Sequence, residues 1–267
     1  MARIPPTALS IAGSDSGGGA GIQADLKTFH HFYVYGTCAL TLVTAQNTRG
    51  VRRVELLAPS LVAAQIDAVA EDLRPRALKT GALGSASIVE VVAQAVARHG
   101  LAPLVVDPVL LAKGGAQLLD ADAVDALRRR LLPAAELVTP NLPEAAALLG
   151  GGSLESEREL AEAARALVAL GPRAALVKGG HGRGAEVIDV LAVRGELVTL
   201  RAPRLDTPHT HGTGCTYSAA ITAELAKGRA LEDAVETAKK FISEAIRTNP
   251  GLGRGRGPVN HFAVTKD

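Results

Sequence analysis

A cysteine in a segment rich in glycine and threonine is the residue best placed for chemistry. The segment 209–228, HTHGTGCTYSAAITAELAKG, carries Gly212, Thr213 and Gly214 just before Cys215, where a helix is predicted to begin. Small residues there let backbone N–H groups approach an anion, and the helix dipole adds partial positive charge. A thiol in a first helical turn is expected to ionise readily, which suits a base or a nucleophile. A simple helix cap is the alternative.

Two histidines near this cysteine leave other kinds of chemistry open. A cysteine nucleophile normally needs a histidine partner, so His209 and His211 also allow a hydrolase or an acyl transferase. A zinc site that combines both histidines with Cys215 is a further alternative. The sequence has no CxxC pair, and its second cysteine, Cys38, lies far away in an apolar strand, which argues against zinc.

Several polar residues come at the ends of predicted strands. Asp107 follows LVV, Asn141 follows LVTP, and Lys178 ends ALVK. Because ligands of α/β sheets bind beyond the carboxyl ends of the strands, we expect these residues to share one site. Asp107 and Glu144 offer the oxygen ligands of a Mg²⁺–phosphate site, and Lys178 offers a cation for the phosphates. A capping box that joins Asn141 to Glu144 is the alternative.

Candidate substrate-binding residues come earlier in the chain. Gln46 ends the apolar strand CALTLVTAQ. Its amide presents a donor beside an acceptor and can pair with an aminopyrimidine edge, as such amides pair with adenine. The alternative is that it only ties down the strand end. The loop GSDSGGGAG (13–21) is a candidate lid but not a P-loop, because no Gly-Lys-Ser/Thr follows. Asp25 is predicted to belong to the substrate pocket, with a helix-terminal charge as the alternative.

The elements that position these residues alternate between short apolar runs and helical stretches. We predict a hairpin around Gly195 and strands at 7–13, 38–46, 77–81, 104–107, 136–140 and 174–180. We predict helices at 21–32, 60–73, 85–100, about 120–132, 143–149, 155–170, 212–227 and 230–247. This alternation predicts an α/β fold with a mostly parallel sheet covered on both faces.

The composition is that of an ordinary globular protein. Of the 267 residues, 47% are hydrophobic and 21% are charged, which excludes a disordered chain. The formal net charge is +2, with both signs scattered, so we expect neither nucleic acid nor a membrane as a partner. No apolar run is long enough to span a bilayer, and the N-terminus does not resemble a signal peptide. With only two cysteines, we expect a cytoplasmic enzyme.

Eight motifs in order reveal a resemblance to a known family. They are GSDSGGGAGIQADLKTF (13–29), TAQNT (44–48), KTGALGS (79–85), DPVLLAKGG (107–115), TPNLPEA (139–145), VKGGHG (177–182), THGTGCTYSAAI (210–221) and GRGPVNHF (255–262). With them the chain closely resembles the hydroxymethylpyrimidine/phosphomethylpyrimidine kinases of thiamine biosynthesis. The resemblance implies a ribokinase-like, three-layer α/β/α fold with a mostly parallel central sheet, as a single domain over 1–267. It also implies ATP-dependent phosphorylation of 4-amino-5-hydroxymethyl-2-methylpyrimidine and then of its monophosphate.

The resemblance implies roles on the substrate side of the site. Gln46 would pair with the aminopyrimidine, while Gly13 and the backbone around Thr44 would hold the ring. The amides of residues 212–215 would form an anion hole. Cys215 takes the place where related kinases have an aspartate base, and it would accept the hydroxyl proton or only position the hydroxyl. Loss of its side chain is expected to cost roughly 10²–10³-fold in rate.

The resemblance also implies roles on the ATP side of the site. Asp107 and Glu144 would order Mg²⁺, and Asn141 and Lys178 would lie near the ATP phosphates. The expected partners are therefore ATP and a small aminopyrimidine, and the expected assembly is a homodimer. A pyridoxal kinase of vitamin B6 salvage is the alternative activity on the same fold.

Overall fold

Short aliphatic runs form most of the strands in this computed structural model, which describes residues 4–110, 119, 121–181 and 184–265. The strands are β1 (Thr7–Asp15), β2 (Tyr35–Asn47), β3 (Gly50–Leu56), β4 (Ala77–Thr80), β5 (Leu104–Val106), β6 (Leu137–Val138), β7 (Ala174–Lys178), β8 (Glu186–Val193) and β9 (Glu196–Pro203). They form one sheet in the order β3-β2-β1-β4-β5-β6-β7-β8-β9.

The central strands of this sheet are parallel, as the sequence predicts. Strands β2, β1, β4, β5, β6 and β7 pair in parallel, whereas β3, β8 and β9 pair antiparallel at the two sides. The hairpin of β8 and β9 around Gly195 is confirmed. Strand β3 was not predicted, because its sequence GVRRVEL is mostly exposed at the edge of the sheet and has no apolar run.

Helices connect the strands, and their ends follow local signals. They are α1 (Gly21–His31), α2 (Pro59–Asp72), α3 (Ala86–His99), α4 (Ala121–Ala126), α5 (Leu142–Leu149), α6 (Glu157–Val168), α7 (Thr213–Ala226) and α8 (Leu231–Arg247). Ser85 caps α3, and the left-handed Gly100 closes it. The predicted helix near 120–132 is confirmed as a continuous helical segment, in which α4 passes into a π-helical turn at Leu127–Leu131 and a 3-10 turn at Leu132–Ala134. Within the described ranges, no helix is both long and apolar enough to cross a membrane.

Two separate cores cover the two faces of the sheet. Leu104 and Val106 of β5 point into the core that α2 to α6 cover, whereas Val105 points into the core of α1, α7 and α8. This alternation of side chains is expected for a strand buried on both faces. The predicted α/β/α arrangement of three layers is therefore confirmed.

Helix α7 brings the predicted cysteine motif to the sheet. Every residue from Thr216 to Ala226 is buried, which is typical of a helix that crosses the interior of a domain. It packs against α1, α8 and the strands β1, β4 and β5. The N-terminal turn of α7, with Cys215, is thereby held in place from several sides.

Candidate active site

The loop after β1 lies against the N-terminus of α7. Gly212 caps this helix with φ +79°, and a Cβ added there would lie 1.7 Å from the carbonyl oxygen of Gly19. Glycine is therefore required both for the left-handed backbone and for the close approach. The first hydrogen bond of α7 runs from the Thr216 N–H to Gly212 O at 2.9 Å. The amides of Gly214 and Cys215 precede it, so they have no intrahelical acceptor and are available to an anion.

A buried ion pair lies directly over this first turn. Lys178 Nζ is 2.9 Å from Asp107 Oδ1, and a Cβ added to Gly214 would lie 3.2 Å from Lys178 Nζ. The hydroxyls of Thr139 and Ser218 donate to Asp107 at 3.2 and 3.1 Å. Burial alone would raise the pKa of Asp107, but the charges of Lys178 and Lys79 and the hydrogen bonds from Lys178 and Ser218 hold it below its usual value. The ends of β5 and β7 thus converge on α7, as predicted.

The capping box that the sequence offered as the alternative for Asn141 and Glu144 is present. Asn141 Oδ1 accepts from the Glu144 N–H at 2.9 Å, and Glu144 Oε2 accepts from the Asn141 N–H at 2.8 Å. Burial raises the pKa of Glu144 to about 7, with Lys178 opposing the rise and Asp107 adding to it. Two buried carboxylates that repel each other are a donor set that a divalent cation would stabilise. The described residues contain no group of three or more His, Cys, Asp or Glu side chains that could by itself hold a metal ion.

The predicted substrate residues line the neighbouring end of β2. Gln46 Nε2 lies 3.2 Å from His211 Nε2, and Gln46 Oε1 lies 3.3 Å from Thr44 Oγ1. Thr44 is buried and pairs with Asp15 of β1 and Val54 of β3 in the sheet. A half-open cavity of about 400 Å³ lies beside Gln46 and His211. Its other walls are residues 47–50 and 255–256. Gln46 therefore borders open space, as a ligand-binding amide must.

Gly13 is buried at the bulge of β1. A Cβ added there would lie 2.5 Å from Leu42 Cδ1, and one added to Gly21 would lie 2.2 Å from Gly13 O. The absence of both side chains lets the loop 13–21 fold back onto β2 and start α1. This places the first loop within reach of the α7 turn.

Neither histidine of the cysteine motif pairs with Cys215. His211 Nε2 lies 2.8 Å from Asp15 Oδ2, and His209 Nδ1 accepts from the Gly257 N–H at 3.1 Å. These partners give both histidines structural roles in joining the first loop and the C-terminal segment. A cysteine hydrolase needs a histidine paired with the thiol, and the zinc site needs both histidines together with Cys215. The structure provides neither arrangement.

The expectation that Cys215 ionises readily is wrong for this structure. Burial raises the pKa of Cys215 to about 12; Lys79 lowers it, and Asp25 and Asp107 raise it further. The Gly21 N–H donates a hydrogen bond to the sulfur. Burial and the neighbouring carboxylates thus outweigh the favourable end of the helix. Cys215 is a neutral thiol at neutral pH.

Asp25 was predicted to contact the substrate, and the structure contradicts this. Its side chain is fully buried, with Oδ1 2.7 Å from Lys79 Nζ and Oδ2 accepting from Ser10 at 2.6 Å. Lys79 Nζ also lies 3.5 Å from Cys215 O. The ion pair therefore supports the first turn of α7 from below. Lys79 was missed as a functional candidate, although one lysine in the otherwise apolar strand ALKT was a usable signal.

Alkylation of Cys215 should be slow at neutral pH, because only the thiolate reacts. In a Cys38→Ala background, we expect the rate with iodoacetamide to rise about tenfold per pH unit between about pH 7 and 9. Mass spectrometry of the tryptic peptide over this range measures the rate. A rate that levels off below about pH 8 would contradict the raised pKa.

Comparisons with known proteins agree with this geometry. A family model described as phosphomethylpyrimidine kinase matches residues 15–260. The hydroxymethylpyrimidine/phosphomethylpyrimidine kinase of Haemophilus influenzae is 50% identical over 262 residues, which are 97% of each chain. An ADP complex of Bacillus subtilis pyridoxal kinase has a TM-score of 0.90 at 39% identity, covering 97% of this chain and 98% of that one.

A second solved structure carries the family name. The phosphomethylpyrimidine kinase of Clostridium difficile has a TM-score of 0.80 at 40% identity, covering 90% of this chain and 99% of that one. The sequence match therefore extends over nearly the whole chain, and it includes the loop after β1, the ends of β5 and β7, and the first turn of α7. The chain belongs to the phosphomethylpyrimidine kinase family and has the ribokinase-like fold of that family.

Proposed function

We propose that this chain transfers a phosphoryl group from ATP to 4-amino-5-hydroxymethyl-2-methylpyrimidine, and a second one to the resulting monophosphate, in thiamine biosynthesis. The observation that carries the proposal is the Asp107–Lys178 pair over the free amides of α7. Beside it, Gln46 borders a cavity with an amide suited to an aminopyrimidine. The Haemophilus relative, at 50% identity, bears the name of both activities.

Phosphoryl transfer at this site depends mainly on positioning and on charge stabilisation. The amides of Gly214 and Cys215 and the ammonium of Lys178 surround one point, where they would stabilise negative charge on the transferring group. The neutral thiol of Cys215 would hold the substrate hydroxyl by a hydrogen bond. In a loose transition state there is little covalent chemistry for the protein to perform, so a positioning role suffices: the hydroxyl oxygen would bond to phosphorus as the bond to ADP breaks, and its proton would pass to an oxygen of the transferred phosphoryl group.

We propose that the carboxylates of Asp107 and Glu144 hold Mg²⁺, in part through water. Mg²⁺ is usually bound by one or two carboxylates together with substrate phosphates, and this is the donor set present. When bound, the ion would neutralise charge on the ATP phosphates. Asn141 uses its oxygen in the capping box, which leaves its amide nitrogen for a phosphate oxygen. Lys178 would approach the same phosphates.

Variants of Cys215 distinguish positioning from base catalysis. We expect Cys215→Ser to retain the first phosphorylation within about tenfold, because a hydroxyl can also position the substrate by one hydrogen bond. Cys215→Ala should lose roughly 10²–10³-fold in that step. The second step should lose less, because its nucleophile is a phosphate oxygen and not the hydroxyl that the thiol holds. Single-turnover rates with each substrate measure both steps. Equal, large losses in the serine and alanine variants would favour a thiolate base.

The stoichiometry of ADP release tests the proposed function. We expect two ADP for each aminopyrimidine alcohol consumed, measured by a coupled assay and confirmed by mass spectrometry of the pyrophosphate. The second candidate is pyridoxal phosphorylation, favoured by the match to Bacillus subtilis pyridoxal kinase at a TM-score of 0.90. One ADP per pyridoxal, with no turnover of the pyrimidine, would replace the first proposal by the second.

We further propose that residues 1–267 work as one kinase domain in the cytoplasm. All nine described strands belong to one sheet, which supports a single catalytic unit. Cys38 and Cys215 are both free thiols, which suits a reducing compartment.

The homodimer is also a proposal, and the edge of the sheet supports it. Strand β3 pairs on one side only, and Val54 and Leu56 expose 37% and 46% of their surface there. An unpaired strand edge that exposes apolar side chains such as these is a site where a second chain can pair. We expect a dimer in sedimentation velocity, and a monomer after Val54→Lys with Leu56→Lys. A wild-type monomer at micromolar concentration would refute the proposal.

A further inference from the structure

A line of polar contacts behind Gln46 has no role in the phosphoryl transfer described above. It runs from Asp15 to His211 at 2.8 Å, from His211 to Gln46 at 3.2 Å, and from Gln46 to Thr44 at 3.3 Å. Asp15 and His211 are both more than nine-tenths buried. Inside a protein, such a line must match each donor with an acceptor, because unmatched polar groups are costly there.

The carboxylate at one end of this line is ionised. Asp15 accepts the N–H groups of Gly17, Gly19 and Ala20 at 2.7, 3.0 and 2.9 Å. Burial would raise the pKa of Asp15, but the hydrogen bonds from His211 and these amides hold it below its usual value. An ionised carboxylate can only accept hydrogen bonds. The nitrogen of His211 that faces it, Nε2, must therefore carry a proton, whether the ring is neutral or charged.

A protonated His211 Nε2 decides which end of the Gln46 amide can face it. An N–H group has no lone pair for an amide N–H, so the nitrogen of Gln46 cannot be its partner. An amide oxygen in its place, 3.2 Å from His211 Nε2, can share this N–H with Asp15 as the second, weaker acceptor of a three-centre hydrogen bond. At the other end of the amide, the Thr44 hydroxyl donates to Ser14 O at 2.9 Å, and it can accept from an amide nitrogen. Exchanging the oxygen and nitrogen of the Gln46 amide thus satisfies every group in the line.

We infer that Asp15 and His211 are positioning residues that hold the Gln46 amide with its oxygen toward His211 and its nitrogen toward Thr44, and so set the ring orientation that the enzyme accepts. The inference rests on the proposed aminopyrimidine substrate. The exocyclic amine of that substrate donates to the amide oxygen on the His211 side. The adjacent ring nitrogen accepts from the amide nitrogen on the Thr44 side.

Three substrates and two variants test the inference. The substrates are the aminopyrimidine alcohol, an analogue without the amino group, and an analogue with CH in place of the adjacent ring nitrogen. His211→Phe removes the N–H donor and keeps a ring. His209→Phe is the matched control, because His209 contacts the same C-terminal segment through Gly257 but does not contact Gln46.

We expect His211→Phe to raise KM for the aminopyrimidine about three- to tenfold, the size of one hydrogen bond, with kcat nearly unchanged. The variant's preference for the aminopyrimidine over the analogue without the amino group should fall by the same factor. Its preference for the aminopyrimidine over the CH analogue should persist. His209→Phe should change neither preference. Equal losses with all three substrates would reduce His211 to a structural role. A loss of preference against the CH analogue alone would require the opposite amide orientation.

A measurement on the unmodified protein covers the case in which the variant does not fold or the pyrimidine is not turned over. In protein labelled with ¹⁵N-histidine, long-range ¹H–¹⁵N spectra report which ring nitrogen carries a proton. We expect Nε2 of His211 to be the ring nitrogen that carries the proton, because it lies 2.8 Å from the carboxylate of Asp15. A bare Nε2 at about pH 8 would overturn the inference. Inactivity toward the pyrimidine with Nε2 protonated would instead count against the proposed function.

Discussion

Replacement of Gly212 by alanine is expected to lower kcat of the first phosphorylation about 10²–10³-fold, as loss of one preorganised donor does in other enzymes. A Cβ at this position would lie 1.7 Å from Gly19 O, so either the first loop or the first turn of α7 must move. Either movement displaces the amides of Gly214 and Cys215 from the ion pair above them. Single-turnover rates at saturating ATP measure the effect.

The same helix offers a matched control at its other end. Gly228 has φ +84°, and a Cβ added there would meet nothing within 4 Å. Gly228→Ala therefore carries a similar backbone strain of about 1 kcal/mol without the collision. We expect it to lower stability slightly and to leave kcat unchanged. If both variants lose activity equally, strain in α7 rather than the position of its amides would be responsible.

Breaking the buried pair of Asp25 and Lys79 is expected to have the largest effect on stability. Both side chains are fully buried and lie 2.7 Å apart. Removing one partner leaves an uncompensated charge in the interior, so Lys79→Met should lower the free energy of unfolding by about 3–5 kcal/mol. Asp25→Asn should do the same through the unpaired ammonium. Urea unfolding followed by circular dichroism measures the change.

The double variant and a surface pair provide the controls. Lys79→Met with Asp25→Leu removes both charges, and it should recover most of the lost stability, because a buried pair is often replaceable by apolar residues. The exposed pair of Glu236 and Lys240 lies 2.8 Å apart on α8, and breaking it should cost less than about 1 kcal/mol. Additive losses in the double variant would show that the two charges do not compensate each other.

The parts of the fold that the sequence predicted are those with a local signal. Strands β5 and β7 are apolar runs because both their faces are buried, and α3 has both of its caps in its own sequence. Strand β3 has no such signal, since one side of it faces solvent and its residues are charged.

The candidate site was predictable in its location and not in its electrostatics. Strand-end positions correctly placed Asp107 and Lys178 together, because the carboxyl ends of parallel strands share an edge. The pKa of Cys215 depends on burial and on Asp25, 190 positions earlier in the chain, as well as Asp107. Asp25 was misplaced for the same reason, since it lies on α1 and its partner Lys79 lies on β4. Pairing between residues so far apart in the chain gives no signal in the local sequence.

The contact between the first loop and α7 also has a consequence for how the enzyme matures. Asp15 and His211 are separated by 196 positions, and His211 is in turn bridged to Pro258 near the other end of the described chain. Contacts between such distant segments form late, because the cost of closing a long loop must be met first. All nine described strands are synthesised before α7, but the contact of His211 with Pro258 can form only after α8 has been made. A chain cut short by proteolysis after α7 would lose both α8, which packs on α7, and the contact of His211 with Pro258, and with them the support of its active-site turn.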